Sequence, residues 1–139
     1  MRVFLLILCC LLPFEIATAS ATSWSATAEH IRVDVPGRLY QSTVLANPGK
    51  QPLNNGQYGK VTWHFSTPYW TAVDAWLCLA DLCDALLKSS GQSTVFKGKS
   101  TDFPLYFQFR LSRGNTDPVM IEGLKVLVNA HSNPELNPE

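Results

Sequence analysis

The chain lacks an excess of charge of either sign: its 139 residues carry 11 Lys and Arg against 11 Asp and Glu. Without a basic stripe, nucleic acid is not expected as a partner. Nothing electrostatic draws it to anionic lipid either. Membrane-length apolar runs are also missing. The longest run, Val3 to Phe14, ends at Glu15, short of the roughly 20 apolar residues of a spanning helix. There is no Gly-rich phosphate loop, and no serine sits in a Gly-x-Ser-x-Gly turn beside which a His base could be sought. The carboxylates form no acid/base pair that spacing identifies. His30, His64 and His131 are scattered, with no partner at metal-ligand spacing. These absences predict a protein that is not an enzyme and uses no metal or cofactor. Internal repeats and Pro/Gly-rich linkers are lacking too, so one domain is expected.

What is present begins at the N-terminus. Arg2, the apolar run and the small residues Ala17, Thr18, Ala19, Ser20 and Ala21 have the form of a secretory signal. Residues 1–19 are read as that signal, with cleavage after Ala19 or after Ala21. Residues 20–131 are the predicted domain, and 132–139, nearly devoid of apolar side chains, a disordered tail. Cys9 and Cys10 leave with the signal, so Cys78 and Cys83 are the cysteines of the mature chain. In an oxidising compartment two such near neighbours pair.

Apolar residues between positions 24 and 131 recur mostly at every second place. His30 to Val35 alternates until Pro36-Gly37. Val61 to Phe65 alternates after the turn residues Asn54, Asn55 and Gly56. Leu105, Phe107, Phe109 and Leu111 form the clearest core-facing set, with Gln108 and Arg110 turned to solvent. Leu124 to Val128 is a further β-branched run. Short period-two segments punctuated by turn residues predict an all-β protein, a small antiparallel sandwich or barrel.

One segment resists. Residues 71–88 are rich in Ala and Leu, and Val73, Trp76, Leu77, Ala80, Cys83 and Leu87 recur at helical spacing. In a helix, however, residues five apart differ by about 140° around the axis, and the two thiols could not meet. In a hairpin, Cys78 and Cys83 flank Leu79, Ala80, Asp81 and Leu82 and stand opposite one another, close enough to bond. Propensity favours the helix and export favours the hairpin. The hairpin is the reading taken.

Several pieces then occur in a recognisable order. They are Trp24, Gln51-Pro52-Leu53 before a Gly-containing turn, Trp63 in an aromatic strand, Leu77-Cys78 and Cys83, Gly91-Gln92-Ser93, Pro104-Leu105 with Phe107, and Leu124-Lys125-Val126 leading to Val128-Asn129. In this order and spacing the chain resembles the periplasmic flagellar accessory protein family FlhE. It departs in its apolar residues between the cysteines and in how soon Val128-Asn129 follows Leu124-Lys125-Val126. The resemblance implies a compact β-sandwich in the periplasm of a flagellated Gram-negative bacterium. It implies an accessory or chaperone-like partner of a flagellar rod or export-apparatus protein, without catalytic residues, and it strengthens the hairpin reading.

The remaining candidates are aromatic. Trp63 and Phe65 alternate with polar residues and read as core. Tyr69 and Trp70 follow Pro68, where exposed rings would give a partner-binding platform with few rotors to freeze. The alternative to a flagellar interaction protein is a secreted carbohydrate- or small-ligand-binding module that uses Tyr69, Trp70 and Trp76.

Overall fold

The computed structural model of the protein describes residues 21–49, 56–68 and 72–132. The expected signal, the tail beyond Ser132, and Tyr69 and Trp70 lie outside the described residues. Among the described residues nine strands follow one another: β1 (Ala21–Ala28), β2 (Ile31–Val33), β3 (Tyr40–Gln41), β4 (Gly56–Ser66), β5 (Val73–Leu79), β6 (Leu82–Leu86), β7 (Ser90–Ser93), β8 (Leu105–Leu111) and β9 (Val119–Ser132). They form two antiparallel sheets. One has the order β1-β9-β4-β7, with β2 also on β9; the other has the order β3-β8-β5-β6. The expected all-β sandwich is the observed fold, and the described residues include no α-helix.

The core lies between the sheets. Leu105, Phe107 and Phe109 are fully buried and Leu111 nearly so, as the alternation in β8 predicts. Phe65 of β4 meets Phe107 and Phe109 edge-on, at centroid distances of 6.0 and 5.3 Å. Phe107 and Phe109 stack at 5.9 Å. Offset and edge-to-face ring pairs add to the burial of their surface. Tyr58 is also fully buried. Its hydroxyl donates to the Phe103 carbonyl at 2.6 Å, and burial pushes its phenol well above the usual range. The Tyr58 backbone bonds Lys99 and Gly98, so this residue anchors the loop after β7.

The segment with helical spacing is a hairpin. Leu77 pairs with Asp84, Cys78 with Cys83, and Leu79 with Leu82. The turn is therefore Ala80-Asp81 alone, two residues shorter than the four-residue turn read from the sequence, and Ala80 takes a left-handed φ of 49°. Cys78 and Cys83 are bonded, with Cα atoms 4.1 Å apart. Narrow spacing of this kind belongs to the non-hydrogen-bonded pairs of an antiparallel ladder. Tertiary pairing overrides the propensity: Val73, Ala75, Leu77 and Leu79 turn inward along a strand, and β5 is held by β8 on its other side. Closing so short a loop stabilises by about 2 kcal/mol in the chain-entropy account. Cys78→Ser is expected to lower stability by about that much, read from a denaturant melt. An unchanged melting temperature of the native protein under reductant would contradict it.

Three of the strands read from the sequence have other bounds, and β1 has no counterpart in that reading. β2 ends at Val33, although the alternation runs on to Val35. Beyond it the Tyr40 hydroxyl donates to Asp34 Oδ1 at 2.6 Å and accepts from the Val35 N–H at 3.0 Å. Gly37, at φ 80°, then turns the chain away. The Tyr40 hydrogen bond, helped by Arg32, holds the Asp34 carboxyl below its ordinary value. β4 begins earlier than expected, at Gly56, and its register with β9 shifts between Tyr58 and Val61. This bulge lets both residues face the core despite their three-residue spacing. β9 starts at Val119, five residues before the recognised run, and a second irregularity lies between its residues Glu122 and Lys125. Gly123 sits there at φ 62°, a conformation that suits a residue without Cβ.

Candidate functional site

The outer faces of the two sheets differ in chemistry. On the five-stranded sheet, Ser25, Leu127, Thr62 and Gln92 form one cross-strand row, and Thr27, Lys125, His64 and Ser90 another. The face is thus made of small or polar groups around the exposed Leu127. Among the described residues it carries no aromatic ring.

The four-stranded sheet presents rings, a cation and the disulfide. β5 and β8 pair Asp74 with Arg110, Trp76 with Gln108, and Cys78 with Tyr106. Across the other edge of β5, Trp76 stands beside Ala85 and Cys78 beside Cys83. Because Ala75, Leu77, Phe107 and Phe109 fill the core, strand alternation sends their neighbours Asp74, Trp76, Gln108 and Arg110 outward. The Arg110 guanidinium lies 5.3 Å from the centre of the Trp76 ring. Arg110 Nη2 also meets Asp74 Oδ2 at 3.2 Å, and Ser112 Oγ donates to the other carboxylate oxygen at 3.4 Å. The side chains of this ion pair are 42% and 41% exposed. Such a pair contributes at most about 1 kcal/mol to stability. It does fix the position of Arg110 over the ring.

Tyr106 completes the face. It stands opposite Cys78, and its hydroxyl donates to the Ala80 carbonyl at 2.9 Å. It thereby ties the stapled turn to the central strand β8. The result is a surface with an aromatic ring, a stacked arginine and a stapled hairpin. Aromatic and Arg side chains of this kind dominate protein–protein contacts. A sugar ring stacking on Trp76 from the Arg110 side would have to displace the guanidinium first.

The sequence pieces have structural roles nearby. Gly91 of β7 pairs with Trp63 of β4, and the indole ring lies over it: a Cβ on Gly91 would stand 2.6 Å from Trp63 Cη2. Trp63 Nε1 donates to the Lys88 carbonyl at 3.3 Å. Ser93 is buried, and its hydroxyl donates to Asp84 Oδ2 at 2.6 Å. This bond clasps β7 of one sheet to β6 of the other. The Gly91-Gln92-Ser93 piece is thus a packing and clasp element.

Of the sequence candidates, Cys78 and Cys83 are bonded, while Tyr69 and Trp70 fall outside the described residues. His30, His64 and His131 belong to no group of three or more His, Cys, Asp or Glu that could hold a metal ion, among the described residues. No helix among the described residues is long and apolar enough to cross a membrane. Arg110, Asp74 and Tyr106 escaped notice as site residues. The outward direction of Arg110 and Tyr106 follows from the alternation in β8, that of Asp74 does not, because the pattern around it is helical, and the grouping of all three depends on which strands pair.

Comparison with known proteins adds a family and a fold. The family described as flagellar protein FlhE matches residues 30–131. A solved crystal structure of FLHE superposes with a TM-score of 0.71 at 21% identity, covering 83% of this chain and 100% of that one. At that identity the superposition speaks for the fold alone. No curated protein matches the chain.

Proposed function

Since the chain belongs to the FlhE family of flagellar proteins, we propose that it is exported to the periplasm, binds a component of the flagellar export apparatus or rod, and limits misassembly or leakage around it. The family match carries this reading. It runs from His30 to His131 and so takes in β2 through all but the last residue of β9. The disulfide agrees with an oxidising compartment, and the N-terminal residues have the form of an export signal. The outer face with Trp76, Arg110 and Tyr106 supplies the side chains that such an interface favours.

The test is site-specific photocrosslinking in flagellated cells. A photoreactive residue is placed at Gln108, on the ring-bearing face, and in parallel at Leu127, on the polar face. A rod or export-apparatus protein joined to the Gln108 probe is the expected result. Recovery of no flagellar component from either position would remove the reading. A glycan panel that shifts the tryptophan emission would point to the carbohydrate-binding alternative instead.

A further inference from the structure

The two open sides of the sandwich are finished differently. On one, β7 faces β6, and the gap is closed by the Ser93–Asp84 bond and by Trp63 lying over Gly91. On the other, β1 and β2 face β3. There the core is incompletely covered: Ala26, Ala28, Ile31 and Tyr40 pack against it but remain partly exposed. The Tyr40 hydroxyl is already engaged with Asp34 and Val35.

The free strand edges differ in the same way. Folded proteins protect such edges with charge, proline, bulges or brevity. β3 has two residues and β7 four. β6 is stapled through Cys83 and points Asp84 inward. Next to β2, Arg32 and Asp34 form an ion pair. β1 has none of these devices. Its eight residues, Ala-Thr-Ser-Trp-Ser-Ala-Thr-Ala, include no charge and no proline. Its pairing with β9 runs without a register shift from Ala21 to Ala28. Among the described residues no other strand pairs with it, so every second residue turns its backbone N–H and C=O to the outside.

We propose that the free edge of β1 receives an extended segment of another polypeptide, with apolar side chains at alternate positions, which adds as a further strand and completes the core beside Ala26, Ala28, Ile31 and Tyr40. Main-chain pairing of this kind supplies affinity, and the alternate side chains supply selectivity. The inward positions of the segment must be apolar because they meet alanine, isoleucine and a spent tyrosine. Its outward positions lie next to Ser23, Ser25 and Thr27 and tolerate polar residues. A second copy of this chain fits less well. Pairing β1 with β1 would set alanine against alanine and leave the gap unfilled. Two folded copies joined through this strip alone, about 27 Å long at the rise of a strand, would bury less than the roughly 1,000 Å² of a stable interface, whereas a segment also sets its alternate side chains into the gap.

This proposal rests on the reading that the protein binds other polypeptides, and its test is kept separate from the flagellar assignment. The probe is a synthetic nonapeptide alternating valine and threonine, with lysines at its ends, offered to the purified protein. Binding should slow amide exchange at alternate residues of 21–28. Ala26→Lys, which sets a charge into the gap, should weaken binding about tenfold or more, a change of about 1.4 kcal/mol. Absence of binding, protection falling on β6 or β7, or undiminished binding by a folded Ala26→Lys variant would each overturn the proposal. If that variant does not fold, two peptides N-methylated on opposite alternate residues are offered to the unaltered protein. One should bind and the other fail; equal binding overturns the proposal. In cells, flagellar adducts from Gln108 with none from a probe at Thr27 would sink the edge alone. Adducts from Thr27 support both readings.

Discussion

Phe107→Ala is expected to lower the unfolding free energy by about 3–5 kcal/mol, the largest single effect of any substitution considered. Phe107 is fully buried in the middle of β8. It stacks on Phe109 and meets the edge of Phe65. Removing the ring forfeits its transfer from water, opens a cavity between the sheets and strips two aromatic contacts. The surrounding strands cannot collapse into the gap, because β8 is held by β5 on one side and by β3 on the other. Urea unfolding followed by circular dichroism measures the loss. A change below about 1 kcal/mol would mean that the ring does not sit in a close-packed core.

Gly91→Val is the second large expectation, at about 3 kcal/mol, the upper end of the usual overpacking cost. A Cβ there would approach Trp63 Cη2 to 2.6 Å and Cζ2 to 2.7 Å, so the indole has to move. Trp63 is 8% exposed and hydrogen-bonded to Lys88; displacing it exposes a large apolar surface and breaks that bond. Gly91→Ala should show the same effect at smaller size. Tryptophan emission should shift to the red along with the loss of stability. Native stability together with native emission would show that the ring is not seated over Gly91.

Much of the fold was legible because one physical rule dominated each strand. In β8 a single core accepts every second side chain, so Leu105 to Leu111 declared both strand and face. Residues 73–86 were legible only through the cysteines: the Ala and Leu content favours a helix, and a covalent restraint plus tertiary pairing decides otherwise. β4 was harder, because its bulge shifts the parity of the pattern and brings Tyr58 and Val61 to the same face. β1 escaped as a strand, since Trp24 is the only bulky side chain among its eight residues. Its edge matters for what it does not carry, and the pattern of apolar residues holds no signal for that. The ring-bearing face was hidden for another reason. Asp74, Trp76, Tyr106 and Arg110 are brought together by the β5–β8 register, which a single sequence leaves open.

The pairing of β9 has a consequence for the order of assembly. This strand lies between β1 and β4 and also carries β2. Among the described residues, β1 and β2 therefore have no sheet partner until the last strand exists. A polypeptide that leaves a ribosome or a membrane pore N-terminus first must keep its opening segments waiting until its far end has emerged. Pairings so distant along the chain close slowly, and loss of only the final strand would leave β1 and β2 nowhere to bind.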